Sequence, residues 1–212
     1  MIASRDWIAF EAQWIPMMAA MMAPSVALVG VRYSRVIRTH RVLGHVAFIG
    51  AFLTVWAVTG VPAWFLGQSI ALLPAGAPLT TATAGVFALC GVYQFTPFKH
   101  RCLAHCRAPH ALLLRYAAWR GWSRHWRVGL HHGMYCVGCC WPLFAIMTLL
   151  GAMSLGLMLG LTAIIVVERT WTRGDRLSQA AGAGALLLAG AVLWHPELAT
   201  HFAHQTMNMA HN

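Results

Sequence analysis

Apolar residues in this chain come in long runs, separated by short segments that hold nearly all of the charge. Six runs approach the ~20 residues a helix needs to cross ~30 Å of hydrocarbon. They cover Trp7 to Val31, Val42 to Leu66, Leu79 to Phe98, Gly129 to Leu150, Ser154 to Val167 and Leu177 to Trp194. The fifth is short, and the break around Gly151 to Met153 predicts a tight hairpin. The pattern predicts an all-α, polytopic membrane protein of about six transmembrane helices, forming one helical domain over residues 1–194. Between the third and fourth runs, Ala108 to Val128 mixes Leu112, Tyr116, Trp119, Trp122 and Trp126 with Arg and His, the signature of an amphipathic interfacial helix. Residues 195–212 have no apolar run and read as an external tail rich in His and Met.

Composition agrees with this reading. The 212 residues are 59% hydrophobic and 9% charged, with mean hydropathy +0.62, which excludes an ordinary soluble domain. The net charge of +10 does not point to nucleic acid, because the basic residues sit in blocks between apolar runs. Of fifteen Lys and Arg, fourteen fall in the segments after the first, third and fifth runs, leaving Arg5 alone on the other side. With six spans that bias puts those segments in the cytoplasm and both termini outside, across a bacterial inner membrane. Trp7 to Tyr33 carries an acidic residue and two prolines and is too long for a signal-peptide core, so it reads as a mature span.

The candidate chemistry is concentrated in His132-Gly-Met-Tyr-Cys-Val-Gly-Cys-Cys-Trp-Pro-Leu143. On a helix His132, Cys136, Cys139 and Cys140 share about 100° of arc, roughly 10–17 Å into the span for the thiols. Pro142 cannot donate to the Gly138 carbonyl, so the backbone should loosen beside the cysteines. One membrane cysteine is usually packing, but three in five residues next to a His point to metal or electron chemistry. Cys102 and Cys106 form a second pair in the basic run Lys99 to Arg107. If helical they are neighbours, and Lys99, Arg101 and Arg107 would favour their thiolates. In the first span Glu11, Met18 and Met22 align at intervals of seven and four, with Met21 alongside, a thioether ladder suited to Cu(I). Glu168 closes the fifth span as a ligand, a proton acceptor or half of an ion pair. Gly156 and Gly160 form a small-xxx-small pair that would admit a close helix.

At these motifs the sequence resembles a bacterial family of uncharacterised integral membrane proteins described as predicted metal-binding. The matching segments are Ala20 to Ser25, Tyr93 to Lys99 continuing through Cys102 to Pro109, His132 to Trp141, and Glu168. The resemblance implies metal binding and a multi-span helical fold, with no settled activity. This chain has Phe144 and Ala145 where relatives tend to carry methionine, and Arg169 where Lys follows the glutamate.

Together these features predict a membrane metal-binding protein for copper, with zinc the competing ion. It would act in transport, delivery or assembly of a copper enzyme, with a metalloenzyme or membrane complex as partner, and not as a stand-alone enzyme. A thiol oxidoreductase and an accessory subunit of a larger complex are the alternatives.

Overall fold

The computed structural model describes residues 2–34, 41–107, 123–150 and 155–202. Among them every regular element is helical: α1 (Ile2–Ser34), α2 (Arg41–Ala71), α3 (Ala77–Tyr93), α4 (Pro97–Arg107), α5 (Arg124–Leu149), α6 (Leu155–Thr170) and α7 (Gly174–Trp194). The all-α expectation holds. Most of the segment expected as an interfacial helix, and the hairpin at 151–153, lie outside the described residues.

Three helical segments are long and apolar enough to cross a bilayer: Val42–Ala71, Arg124–Leu149 and Gly174–Trp194. This is three among the described residues, where six were expected. Length accounts for part of the difference. At 17 residues, α3 reaches only ~25 Å, short of the ~30 Å core. The count covers the described residues alone, which resume only at the start of α6 and leave out several side chains of α1.

α5 is the central rod, packed by α2, α3, α4 and α6. Against α2 the helices touch through missing side chains: a Cβ on Gly129 would strike the Phe48 carbonyl and Ala51, and one on Gly133 would press on Val55. α3 and α7 meet similarly, where a Cβ on Gly91 would lie 2.9 Å from the Gly182 carbonyl oxygen. Gly160, half of the expected small-residue pair, has nothing within 4 Å of such a Cβ.

The run expected as one span from Leu79 to Phe98 is broken. α3 stops at Tyr93, and α4 starts at Pro97. A residue before proline disfavours helical backbone, whereas proline suits a helix's first turn. Thr96 then caps α4, its Oγ1 accepting the Lys99 N–H at 3.3 Å. α3 touches α5 at Trp141 through Tyr93, and α4 continues the same line to Tyr135 and His131 through His105. The two pieces thus run in succession antiparallel to α5, with their break beside the cysteines. Buried Gln94 in that break accepts a hydrogen bond from Ser178 of α7 at 2.9 Å.

Two apolar cores result. One gathers α1, α2, α4, α5 and α6 around Met18, Met22, Phe52, Trp56, Leu103, Phe144 and the cysteines. The other joins α3, α7 and the lower end of α5 around Phe87, Leu149, Ala185 and Val192. Residues 195–202, the start of the expected tail, belong partly to the second: 197–202 are helical, Ala199 is buried, and Phe202 meets the Phe87 ring at 5.9 Å. The outward faces carry large apolar side chains, among them Val42, Val46, Phe65, Leu89, Leu159, Leu187 and Trp194.

Candidate metal centre

Pro142 organises the middle of α5. Lacking an N–H, it leaves the Gly138 carbonyl without its helical donor. Tyr93 fills the gap, its hydroxyl donating to Gly138 O at 2.5 Å. The assigned helix continues unbroken through Pro142. One turn is therefore held from outside, by the last residue of α3. Gly138 also lets α4 come close: a Cβ there would stand 2.9 Å from Cys102 Sγ.

The sulfurs meet on the other face of this turn. Cys139 Sγ lies 3.3 Å from Cys140 Sγ and 3.9 Å from Cys106 Sγ. Cys136 Sγ lies 3.6 Å from Met22 Sδ of α1. Four thiols and a thioether from three helices therefore form one buried cluster, and all six cysteines are free. Met18 and Met21 are buried in the same core, although Met22 is the thioether in contact with a thiol. Cys102 is buried against Gly138 beside the cluster. Cys102 and Cys106 are thus packed inside the bundle, and the basic run around them is helical, the case in which the two thiols were expected to be neighbours.

Charge enters the cluster from a direction the sequence did not single out. Arg101 is exposed. Lys99, fully buried, donates to the Cys139 carbonyl at 2.5 Å and pairs with Glu168 Oε2 at 3.1 Å. Arg107 donates through Nε and Nη2 to the Glu168 carbonyl and through Nη1 to Asp175 at 3.0 Å. The cation at the thiols is Arg169 of α6. Its Nη2 stands 2.9 Å from Cys136 Sγ, 3.2 Å from Cys139 Sγ and 3.3 Å from Cys140 Sγ.

Glu168 is half of an ion pair, with Lys99 as the other half. One of its oxygens, Oε1, is buried without a hydrogen-bond partner. His132 makes no hydrogen bond to the sulfurs. Its ring packs beside Phe48 and Phe52 at 6.1 and 6.0 Å, with both nitrogens buried and unpartnered. Glu11 similarly has two buried, unpartnered oxygens, close against Gly60 of α2. Among the described residues no three His, Cys, Asp or Glu side chains are set to hold a metal ion together. The place among the three α5 thiols is taken by a guanidinium.

Lys99 was expected near the thiols, but not as the partner of Glu168; the missed residues were Arg169 and Tyr93. An arginine directly after an intramembrane carboxylate was the available signal for the first. Tyr93 could have been found by asking what replaces the donor that Pro142 lacks.

Buried soft donors grouped from separate helices suit a soft monovalent cation better than a structural role. The family model described as PpoB2, copper chaperone, matches residues 11–193. The chain belongs to this family. Its function is therefore copper-related, and the match spans all of the cysteines, Met18, Met21, Met22 and Glu168. Comparison with the curated proteins and with the solved structures gives no match.

Proposed function

We propose that this copper chaperone family member is an integral membrane protein that takes up Cu(I) on Cys136, Cys139, Cys140 and Cys106, with Met22 as the thioether partner, and hands it to a copper enzyme. The carrying observation is the meeting of these five sulfurs from α1, α4 and α5 in one buried cluster. Thiolates and thioethers bind Cu(I) well, and thioethers need no deprotonation to do so. Met18 and Met21 continue the thioether stripe within the same core, and Glu11 stands further along α1, giving a graded path of donors. Delivery needs ligands that hold without trapping, and a cluster shared among separate helices can be opened by small helix shifts.

The apolar outward faces support insertion in a bilayer. An inner-membrane orientation with the basic segments in the cytoplasm rests on where those segments fall in the fold. Arg107, Arg124, Arg127, Arg169, Arg173 and Arg176 all lie at or near one set of helix ends, the ends that the positive-inside bias assigns to the cytoplasm. Copper would then be collected from the cytoplasmic side of the bundle, and the receiving partner is a membrane metalloenzyme.

The test is competition for Cu(I) between the full chain in detergent and a chromophoric Cu(I) chelator under reducing conditions. The wild type is expected to retain Cu(I), whereas the Cys136→Ser, Cys139→Ser, Cys140→Ser triple variant loses ~100-fold or more in affinity, as befits removal of the soft ligands. Equal retention by both would place copper elsewhere and defeat the reading. The close thiols Cys106 and Cys139 also permit a second reading, a thiol oxidoreductase. It is favoured instead if the chain reduces a disulfide substrate and binds no Cu(I).

A further inference from the structure

Arg107 and Arg169 lie near each other in the fold and use their guanidinium groups in opposite ways. Arg107 commits all three nitrogens to oxygen acceptors, two to the Glu168 carbonyl and one to Asp175. That is a structural clamp. Arg169 aims a single nitrogen at three sulfurs, and its Nε is buried with no partner. A guanidinium kept for architecture would not be left half-satisfied beside weak acceptors.

We propose that Arg169 is a resident stand-in for the cargo, a displaceable cation that occupies the Cu(I) position between Cys136, Cys139 and Cys140 until the metal arrives. This rests on the Cu(I) reading above. The geometry makes guanidinium and metal mutually exclusive, because one nitrogen already touches the three sulfurs that the metal would bridge. Loading is a ligand exchange in which N–H···S hydrogen bonds break and copper–sulfur bonds form. No electron moves, the guanidinium leaves still protonated, and a sulfur that is a thiol, as Cys136 and Cys139 are when they donate to Met22 Sδ and to the Cys136 carbonyl, gives its proton to solvent as it binds. Each thiolate then sees one monovalent cation replace another.

That balance also sets specificity. A divalent ion such as Zn(II) brings one additional positive charge into a dry core, where an uncompensated charge is costly. The nearby carboxylate, Glu168, is already neutralised by Lys99. Release is aided in the same way, because the returning guanidinium competes with the metal and spares the emptied thiols an unpaired charge. Arg169 is thus a positioning and exchange residue, and the sulfurs remain the ligands.

Two experiments decide it. In the first, the structure of the native full chain is determined with Ag(I), a Cu(I) mimic, bound. With the ion at the α5 sulfurs, Arg169 is expected beyond hydrogen-bonding reach of all three. A guanidinium still in contact with them alongside the metal overturns the proposal. In the second, Cu(I) competition is repeated with Arg169→Gln and Arg169→Lys. Removing the competitor lifts the penalty for opening the site, so R169Q is expected to bind about tenfold tighter, while R169K stays near wild type. Weaker binding by a folded R169Q, restored by R169K, makes the cation a promoter of binding and overturns displacement. Should R169Q fail to fold, the native Ag(I) structure alone decides. If the wild type takes up neither ion at these cysteines, it is the copper reading itself that has failed.

Discussion

The two cores of the bundle contain cysteines of equal burial and opposite character. Cys90, in the α3–α7 core, is as fully buried as Cys136, but its neighbours there are Phe, Leu, Ile, Ala and Val. It is a small apolar side chain filling space. Cys136 sits in a core of similar dryness that also holds a buried Lys–Glu pair, a guanidinium on sulfur, and polar atoms left unpartnered on Glu168 and Arg169. Buried thiols are therefore no sign of a site by themselves. Imported charge set against the thiols distinguishes a core that works from a core that only packs.

The comparison breaks most sharply at the ion pair. Replacing Lys99 or Glu168 alone by alanine leaves a buried charge unpaired, which should cost ~3–5 kcal/mol. Denaturant unfolding in detergent measures it, and the Lys99→Met, Glu168→Leu double variant should regain most of the loss. No single substitution of a polar group in the α3–α7 core should match this.

The next largest effect is at Tyr93. Tyr93→Phe removes the donor that serves the Gly138 carbonyl and should cost ~1–3 kcal/mol. In a Pro142→Ala background, where residue 142 regains its N–H, the same change should cost much less. A double-mutant cycle reads that coupling, and equal costs in both backgrounds would disprove the exchange of donors.

Met22→Leu keeps the volume and should change stability by less than ~1.5 kcal/mol. Its Cu(I) affinity should nevertheless fall, by about tenfold, because a soft ligand is lost. Cys90→Ala is the quiet counterpart: ~1 kcal/mol of stability or less, as for a small cavity, with Cu(I) binding unchanged in the same competition assay.

The sequence displayed much of this arrangement, within limits set by chain geometry. Helical periodicity put Cys136, Cys139 and Cys140 on one face, and they do share a cluster. The same arithmetic grouped His132 with them, yet its ring turns to Phe48 and Phe52 of α2, because spacing within one helix carries no information about which neighbour fills each side. Met22 was legible as one rung of a stripe, but which rung would touch a thiol depended on the crossing of α1 and α5. The break at Gln94 to Thr96 was marked by Thr96-Pro97, although the apolar run continued through it and hid the boundary. Arg169 was the hardest to see. Positive-inside logic reads an arginine at a helix end as an interfacial anchor, and only the meeting of α5 and α6 turns it toward sulfur.

X-ray absorption at the copper edge of the full chain loaded with one equivalent of Cu(I) tests the central claim most directly. A first shell of sulfur, lost in the Cys136→Ser, Cys139→Ser, Cys140→Ser variant, is the expected result. A shell of nitrogen and oxygen without sulfur, unchanged by those substitutions, would contradict the account.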